Sequence, residues 1–229
     1  MDMEINGTQI DWTGHSGFLI KIPNGTSKTL FIDPFGLSEN AATNKADIIL
    51  ITHSHYDHCS IRDIDRIIKP GTKIIIPADV QSKITRIEGV EMQVVEVGDE
   101  LDIMGIKIQA LPAYNVDKEF HTKADAWLGY LIKTNGVIIY HSGDSDKIKE
   151  MEKLTGYGRH GNNFIALLPV SGKYVMTAEE AAETAELINP DVAVPMHYGS
   201  GVVGTIDDAN RFVEICKQEG VHAEILEKI

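Results

Sequence analysis

Short apolar or alternating runs recur along the first half of the chain, broken by Gly, Asn and Pro, and they predict strands. Ile5–Ile10, Gly17–Ile22 and Lys28–Ile32 are such runs, with turns such as PNGTSK between them. Residues Asp47–Ile51 are almost continuously apolar, the pattern of a strand buried on both faces. The period then changes. Ile61, Ile64, Ile67 and Ile68 recur at helical spacing and stop at Lys69-Pro70-Gly71, predicting a helix over 61–68. Further strands are predicted at Lys73–Ile76, Gln93–Val97, Ile106–Leu111, Trp127–Lys133, Val137–Tyr140, Ile165–Pro169 and Val192–Val194.

The strongest helix signal starts at Thr177, whose side chain and that of Glu180 can form a capping box. Its apolar face is Ala181, Ala185 and Ile188, and it ends at Asn189-Pro190. A last helix over Ile206–Gln218 would pack Ala209, Phe212, Val213 and Cys216. No repeat of short fixed period, low-complexity tract or linker interrupts the pattern, so one domain over 1–229 is expected. The class is α/β. Strands followed by helices in both halves suggest a four-layer αββα sandwich, with a doubly wound sheet nearly as good a fit to the pattern.

Composition narrows the function. The 229 residues are 43% hydrophobic, enough for a substantial core and against disorder. The net charge of −13 argues against a protein that coats nucleic acid. No run approaches the length of a bilayer span, and MDMEINGTQI has no basic-then-apolar leader pattern, so no membrane partner is expected. Cys59 and Cys216 form no framework, which points to a reducing cytoplasmic compartment.

Three of the nine histidines fall within THSHYDH, directly after the apolar run. Imidazoles and a carboxylate at this density are zinc-type ligands. After a strand, positions i and i+2 can aim one way, so His53 and His55 can share a metal, while Asp57 and His58 serve a second. A polar loop of ordinary histidines is the bland alternative, and the crowding of four ligand-type residues argues against it.

HSHYDH also resembles the H-x-H-x-D-H signature of the metallo-β-lactamase-fold hydrolases. The resemblance covers nearly the whole chain. Asp144 in YHSGDSD looks like the family's metal-bridging carboxylate, and His197 in VPMHYGS like the distal histidine of the second metal. WTGHSGFLI and FIDPF look like the branch holding sugar-acid-phosphate lactonases, phospholipase-D-like enzymes and uncharacterised metal-dependent hydrolases. The implied fold is the αββα sandwich.

One departure stands out. Where the family supplies a third histidine to the first metal, this chain reads LPAYNVDKEFH. Asn115 occupies the Pro-Ala-x-His position and His121 lies further on. His121 is favoured because imidazole is the stronger zinc ligand, with a weak Asn115 carbonyl ligand or an open position as alternatives.

Lesser candidates are His15 at the rim, Asp33 as the carboxylate orienting a ligand histidine, Lys118 as a cation for an anionic substrate, and Tyr198 as a donor to an oxyanion. Cys59 reads as a small buried residue. His141, His160 and His222 receive no role.

The resemblance implies one or two Zn²⁺ per chain, with Mn²⁺ as the alternative. It implies hydrolysis of a small-molecule ester, lactone or phosphodiester by a metal-bound hydroxide, with Asp57 as the catalytic carboxylate. No Ser or Cys sits in a convincing nucleophile motif. The rival readings are a metal-binding protein of the same fold with little catalysis and an RNA-processing member. The expected partner is a small-molecule substrate, and a homo-oligomer stays open.

Overall fold

The computed structural model describes residues 3–23, 25–158 and 161–229. Asn24 of the PNGTSK turn and His160 lie outside the described residues. The chain divides into two compact units, Met1–Glu96 with Leu226–Ile229, and Val97–Ile225.

The first unit is a seven-stranded sheet in sequence order: β1 (Met3–Ile5), β2 (Thr8–Gly14), β3 (Gly17–Ile22), β4 (Lys28–Ile32), β5 (Ile48–Leu50), β6 (Thr72–Ile76) and β7 (Val90–Val94). β1 to β4 pair antiparallel, and β4 to β7 pair parallel. The run expected as one strand over Ile5–Ile10 is two. Asn6 (φ 51°) and Gly7 (φ 76°) make the left-handed pair that a tight hairpin needs, and the Asn-Gly signal outweighs the apolar pattern. β7 falls earlier than Gln93–Val97 because Val90 and Met92 pack on the core.

The parallel strands are connected through short helices, α1 (Glu39–Ala42), α2 (Ile61–Ile67) and α3 (Gln81–Ile84). α2 is capped by Ser60, whose side chain accepts from Asp63 N. It buries Ile64 and Ile67 against Leu19, Phe31, Ile49, Ile74 and Ile76. Asp63 accepts from Gly36 N at 2.9 Å and so ties down the loop that follows Asp33.

The second unit is a six-stranded sheet of β8 (Glu100–Ile103), β9 (Ile106–Pro112), β10 (Leu128–Thr134), β11 (Val137–His141), β12 (Asn163–Pro169) and β13 (Val192–Met196), in the order β13-β12-β11-β10-β9-β8. β8 to β11 form an antiparallel meander, while β11, β12 and β13 run parallel. β8 was not expected: Glu100 and Asp102 mask its apolar alternation, as charges do on edge strands. α4 (Ala178–Ile188) has the expected capping box between Thr177 and Glu180 and buries Ala181, Ala185 and Ile188. α5 (Ile206–Gln218) buries Ala209, Phe212 and Cys216. Among the described residues no helix is long and apolar enough to cross a membrane.

Both units therefore share one plan, an antiparallel meander that passes into parallel strands. Polar side chains placed just after the carboxyl ends of parallel strands are where α/β sheets put their ligands.

Candidate metal centre

In the first unit the candidate residues follow β4 and β5. Asp33 N donates to Leu50 O at 3.0 Å, which joins the ends of these two strands. The fully buried Asp33 carboxylate then organises what comes next. Its Oδ1 accepts from Thr52 N at 2.8 Å, and its Oδ2 accepts from the Thr52 hydroxyl at 2.6 Å and from His58 Nδ1 at 2.8 Å. The hydroxyl's single proton points to Asp33, so Thr52 Oγ1 accepts from His53 Nδ1 at 3.0 Å. Asp33 thus sets the proton on Nδ1 of both His53 and His58 and leaves each Nε2 as a lone-pair donor.

The cluster is compact. The His53 ring lies 4.1 Å from that of His58 and 4.7 Å from that of His55. The turn closes through Cys59 N to His55 O at 2.8 Å. His15, in the β2–β3 turn, places Nε2 3.0 Å from Asp57 Oδ2, and His58 Nε2 is 3.9 Å from the same oxygen. His15 therefore contacts Asp57 directly. Cys59 is buried, and burial pushes its thiol up to about 12, so it stays protonated and unreactive, as expected.

In the second unit the candidates gather on Asp144, which follows β11. His197 Nε2 lies 3.1 Å from Asp144 Oδ2, and His121 Nδ1 lies 3.8 Å from it. His197, after β13, has its Nδ1 fixed 2.8 Å from Ser171 Oγ, after β12. The turn before Asp144 requires glycine: Gly143 has φ 63°, and a Cβ there would meet Leu128 O at 2.4 Å.

Asn115 and His121 stand at the two ends of one loop, joined by Asn115 N to His121 O at 2.7 Å. The Asn115 amide donates from Nδ2 to Phe120 O at 2.9 Å and to Tyr174 O at 2.6 Å, which holds the loop. Its buried Oδ1 has no hydrogen-bond partner among the described residues and keeps the weak carbonyl ligand open as an alternative. The His121 ring packs 5.0 Å from Trp127. Lys118 is ion-paired with Asp146, which also accepts from Val116 N, so its charge is committed inside the loop. Tyr198 is buried, and desolvation pushes its hydroxyl up to about 12.

Sequence reasoning missed Thr52 and Ser171, which hold ligand-type histidines by Nδ1. Each is a small hydroxyl residue at a parallel-strand end, and Thr52 directly precedes His53. His141, given no role, accepts from Gly143 N at 3.1 Å and so braces the Asp144 turn.

Imidazole and carboxylate donors of this kind suit a borderline metal. His15, His53, His55, Asp57 and His58 in the first unit all fall in groups able to hold an ion. So do His121, Asp144 and His197 in the second. The fit is specific in that three of the histidines have their second nitrogen anchored, the arrangement that fixes a metal-binding imidazole.

These features define a candidate metal centre of histidine and carboxylate donors on a two-sheet α/β fold. A model of the β-lactamase superfamily domain matches residues 9–197. The chain is 33% identical over 200 residues to a UPF0173 metal-dependent hydrolase of Pyrococcus abyssi, covering 84% of this chain and 85% of that one. It is 35% identical over 199 residues, with the same coverage, to a UPF0173 metal-dependent hydrolase of Thermococcus onnurineus. The crystal structure of a proposed metal-dependent hydrolase from Parabacteroides distasonis superposes with a TM-score of 0.81 at 27% identity, covering 99% of this chain and 98% of the other. The chain belongs to the UPF0173 metal-dependent hydrolases of the β-lactamase superfamily.

Proposed function

We propose that this chain hydrolyses a small-molecule ester, lactone or phosphodiester with one or two Zn²⁺ ions, Mn²⁺ being the alternative, held by His53, His55, Asp57, His58, His121, Asp144 and His197. The observation that carries the reading is the Asp33–Thr52 relay, which presents Nε2 of both His53 and His58 as lone-pair donors. Bound ions of this type supply a water of lowered pKa and polarise the oxygen of the attacked group.

The chain's own residues do the rest. Asp57 is buried, and His15 holds one of its oxygens at 3.0 Å. That contact fixes the carboxylate, which orients the attacking water, takes its proton and returns it to the leaving group. Cys59 takes no part as a nucleophile. Lys118 is not assigned to substrate, because Asp146 already neutralises it. Two buried free cysteines are in keeping with a cytoplasmic, reducing compartment.

The test is turnover by zinc- or manganese-loaded protein on a panel of lactones, carboxylic esters and phosphodiesters, with Asp57→Ala beside it. Turnover that Asp57→Ala abolishes supports the reading. A fully loaded parent that turns over none of the three classes, while binding its ions tightly, would favour the metal-binding protein without catalysis.

A further inference from the structure

The second unit holds a cavity of about 440 Å³ that none of the candidate metal ligands lines. Its size is that of a small-molecule site. Leu111, Pro112, Trp127, Tyr140, Met151 and Leu154 give it a largely apolar wall. Its charged groups are Lys123, Glu150 and Lys153, with Tyr114, Gln109 and Tyr157 adding polar atoms to the lining.

The hydrogen bonds of these groups decide which ligand it can take. Glu150 Oε1 accepts from Lys123 Nζ at 2.8 Å, and Oε2 accepts from the Tyr114 hydroxyl at 2.8 Å. Each carboxylate oxygen already accepts one hydrogen bond and the Lys123 ammonium balances the charge, so the pair offers a cationic ligand no net negative charge. Lys153 is exposed and has no ion-pair partner among the described residues, and Lys123, which donates to Glu150 at 2.8 Å and to the Tyr114 hydroxyl at 3.2 Å, keeps one of its three N–H groups. Two ammonium groups face one carboxylate that is already engaged. The surplus is positive, on a chain whose net charge is −13.

We propose that this cavity binds an amphipathic monocarboxylate, its hydrocarbon body against Trp127, Tyr140 and Leu154 and its carboxylate toward Lys123 and Lys153. Segment 114–127 both walls the cavity, through Tyr114 and Trp127, and carries Asn115 and His121. The Trp127 ring, 5.0 Å from that of His121, is where an occupant would be felt by the candidate metal centre.

Sodium octanoate titrated into metal-free protein at pH 7, followed by the indole N–H resonances, tests the site without reference to hydrolysis. The chain has two tryptophans, and Trp12 belongs to the other unit, so its signal is the internal reference. The expected result is a saturable shift of Trp127 alone. Each added methylene from hexanoate to octanoate should tighten binding about fourfold, and octanol should bind at least tenfold more weakly than octanoate. Lys153→Glu should weaken octanoate at least tenfold and leave octanol unchanged. Val97→Trp, at a 46% exposed position on the lining, should block both ligands while melting like the parent. Octanol or octylamine binding as tightly as octanoate would overturn the proposal. So would octanoate binding that survives Val97→Trp, or a concentration-dependent dimer that Val97→Trp dissolves, which would make a second copy the occupant.

Discussion

Replacing Asp33 by Asn should reverse the proton polarity of two histidines at once. Asn tolerates the left-handed backbone found at this position (φ 43°), so the exchange changes hydrogen bonding without adding backbone strain. Thr52 N, 2.8 Å from Oδ1, requires an acceptor, so the new amide nitrogen must take the place of Oδ2. There it donates to Thr52 Oγ1 and to His58 Nδ1, where the carboxylate had accepted from both. His58 must then carry its proton on Nε2. The Thr52 hydroxyl, no longer donating to residue 33, is free to donate to His53 Nδ1, and His53 also becomes protonated on Nε2. Two lone pairs offered to the proposed metal are replaced by N–H groups.

Loss of one outer hydrogen-bond partner of a metal ligand costs about 10–100-fold in affinity. With both histidines affected the expected loss is roughly 10²–10⁴-fold, about 3–6 kcal/mol. If the amide flips instead, its NH₂ faces Thr52 N–H, and the buried clash costs about 1–3 kcal/mol of stability, or roughly 2–12 °C in Tm for a chain of this size. Competition titration of zinc against a chromophoric chelator, paired with a thermal melt of the metal-free protein, reads both outcomes. Zinc affinity within about threefold of the parent together with an unchanged melt would refute the relay.

Four further outcomes follow from the geometry. Asp57→Ala should abolish turnover while Cys59→Ala stays near the parent, since burial keeps that thiol protonated; steady-state kinetics at saturating metal compares them. His121→Ala should need far more added zinc to recover activity than the parent, whereas Asn115→Ala should lower the melt by loosening the loop, and metal titration with calorimetry separates the two effects. Gly143→Ala should displace Asp144, because its Cβ meets Leu128 O at 2.4 Å, and equilibrium dialysis should find fewer ions retained. Glu150→Gln should melt below the parent at pH 7. Lys123 and Tyr114 hold the Glu150 carboxyl down from 4.5 to about 2, so the contribution is full above about pH 4.5 and is lost as pH falls through about 2; the gap between the two melts should close over that window and shrink in salt.

The parts of the fold legible in the sequence are those where one physical signal acts alone. β3, β4 and α5 fall where period and turn residues place them, and the Thr177–Glu180 box marks the start of α4 to the residue. Legibility fails where two signals compete. Asn6-Gly7 splits an apolar run that alternation alone reads as one strand, and two acidic residues hide β8. The site divides in the same way. His53, His55, Asp57 and His58 announce themselves by crowding. Thr52 and Ser171 do not, because a lone hydroxyl is chemically silent until folding sets it beside an imidazole. Lys118 looked available for substrate because its partner Asp146 is distant in sequence.

Backbone conformation adds a layer that no composition carries. His15 (φ 55°), Asp33 (43°), His121 (58°) and His197 (64°) all lie in the left-handed region, which costs a non-glycine residue about 1–3 kcal/mol each. Three of the four directly follow or interrupt regular structure: His15 ends the β2–β3 turn's first step, Asp33 follows β4 and His197 follows β13. A strand continued in extended geometry would send its next side chain up or down the sheet face. The left-handed step turns it along the sheet's edge instead, where Asp33 reaches Thr52 and His58, and His197 reaches Asp144. Asp and His enter this region more readily than most residues, so the types that suit a metal also tolerate the bend that aims them. Substituting a β-branched residue such as Val at 33 or 197 would therefore remove the ligand chemistry and the local backbone path together, which is why the conservative exchange at Asp33 is the informative one.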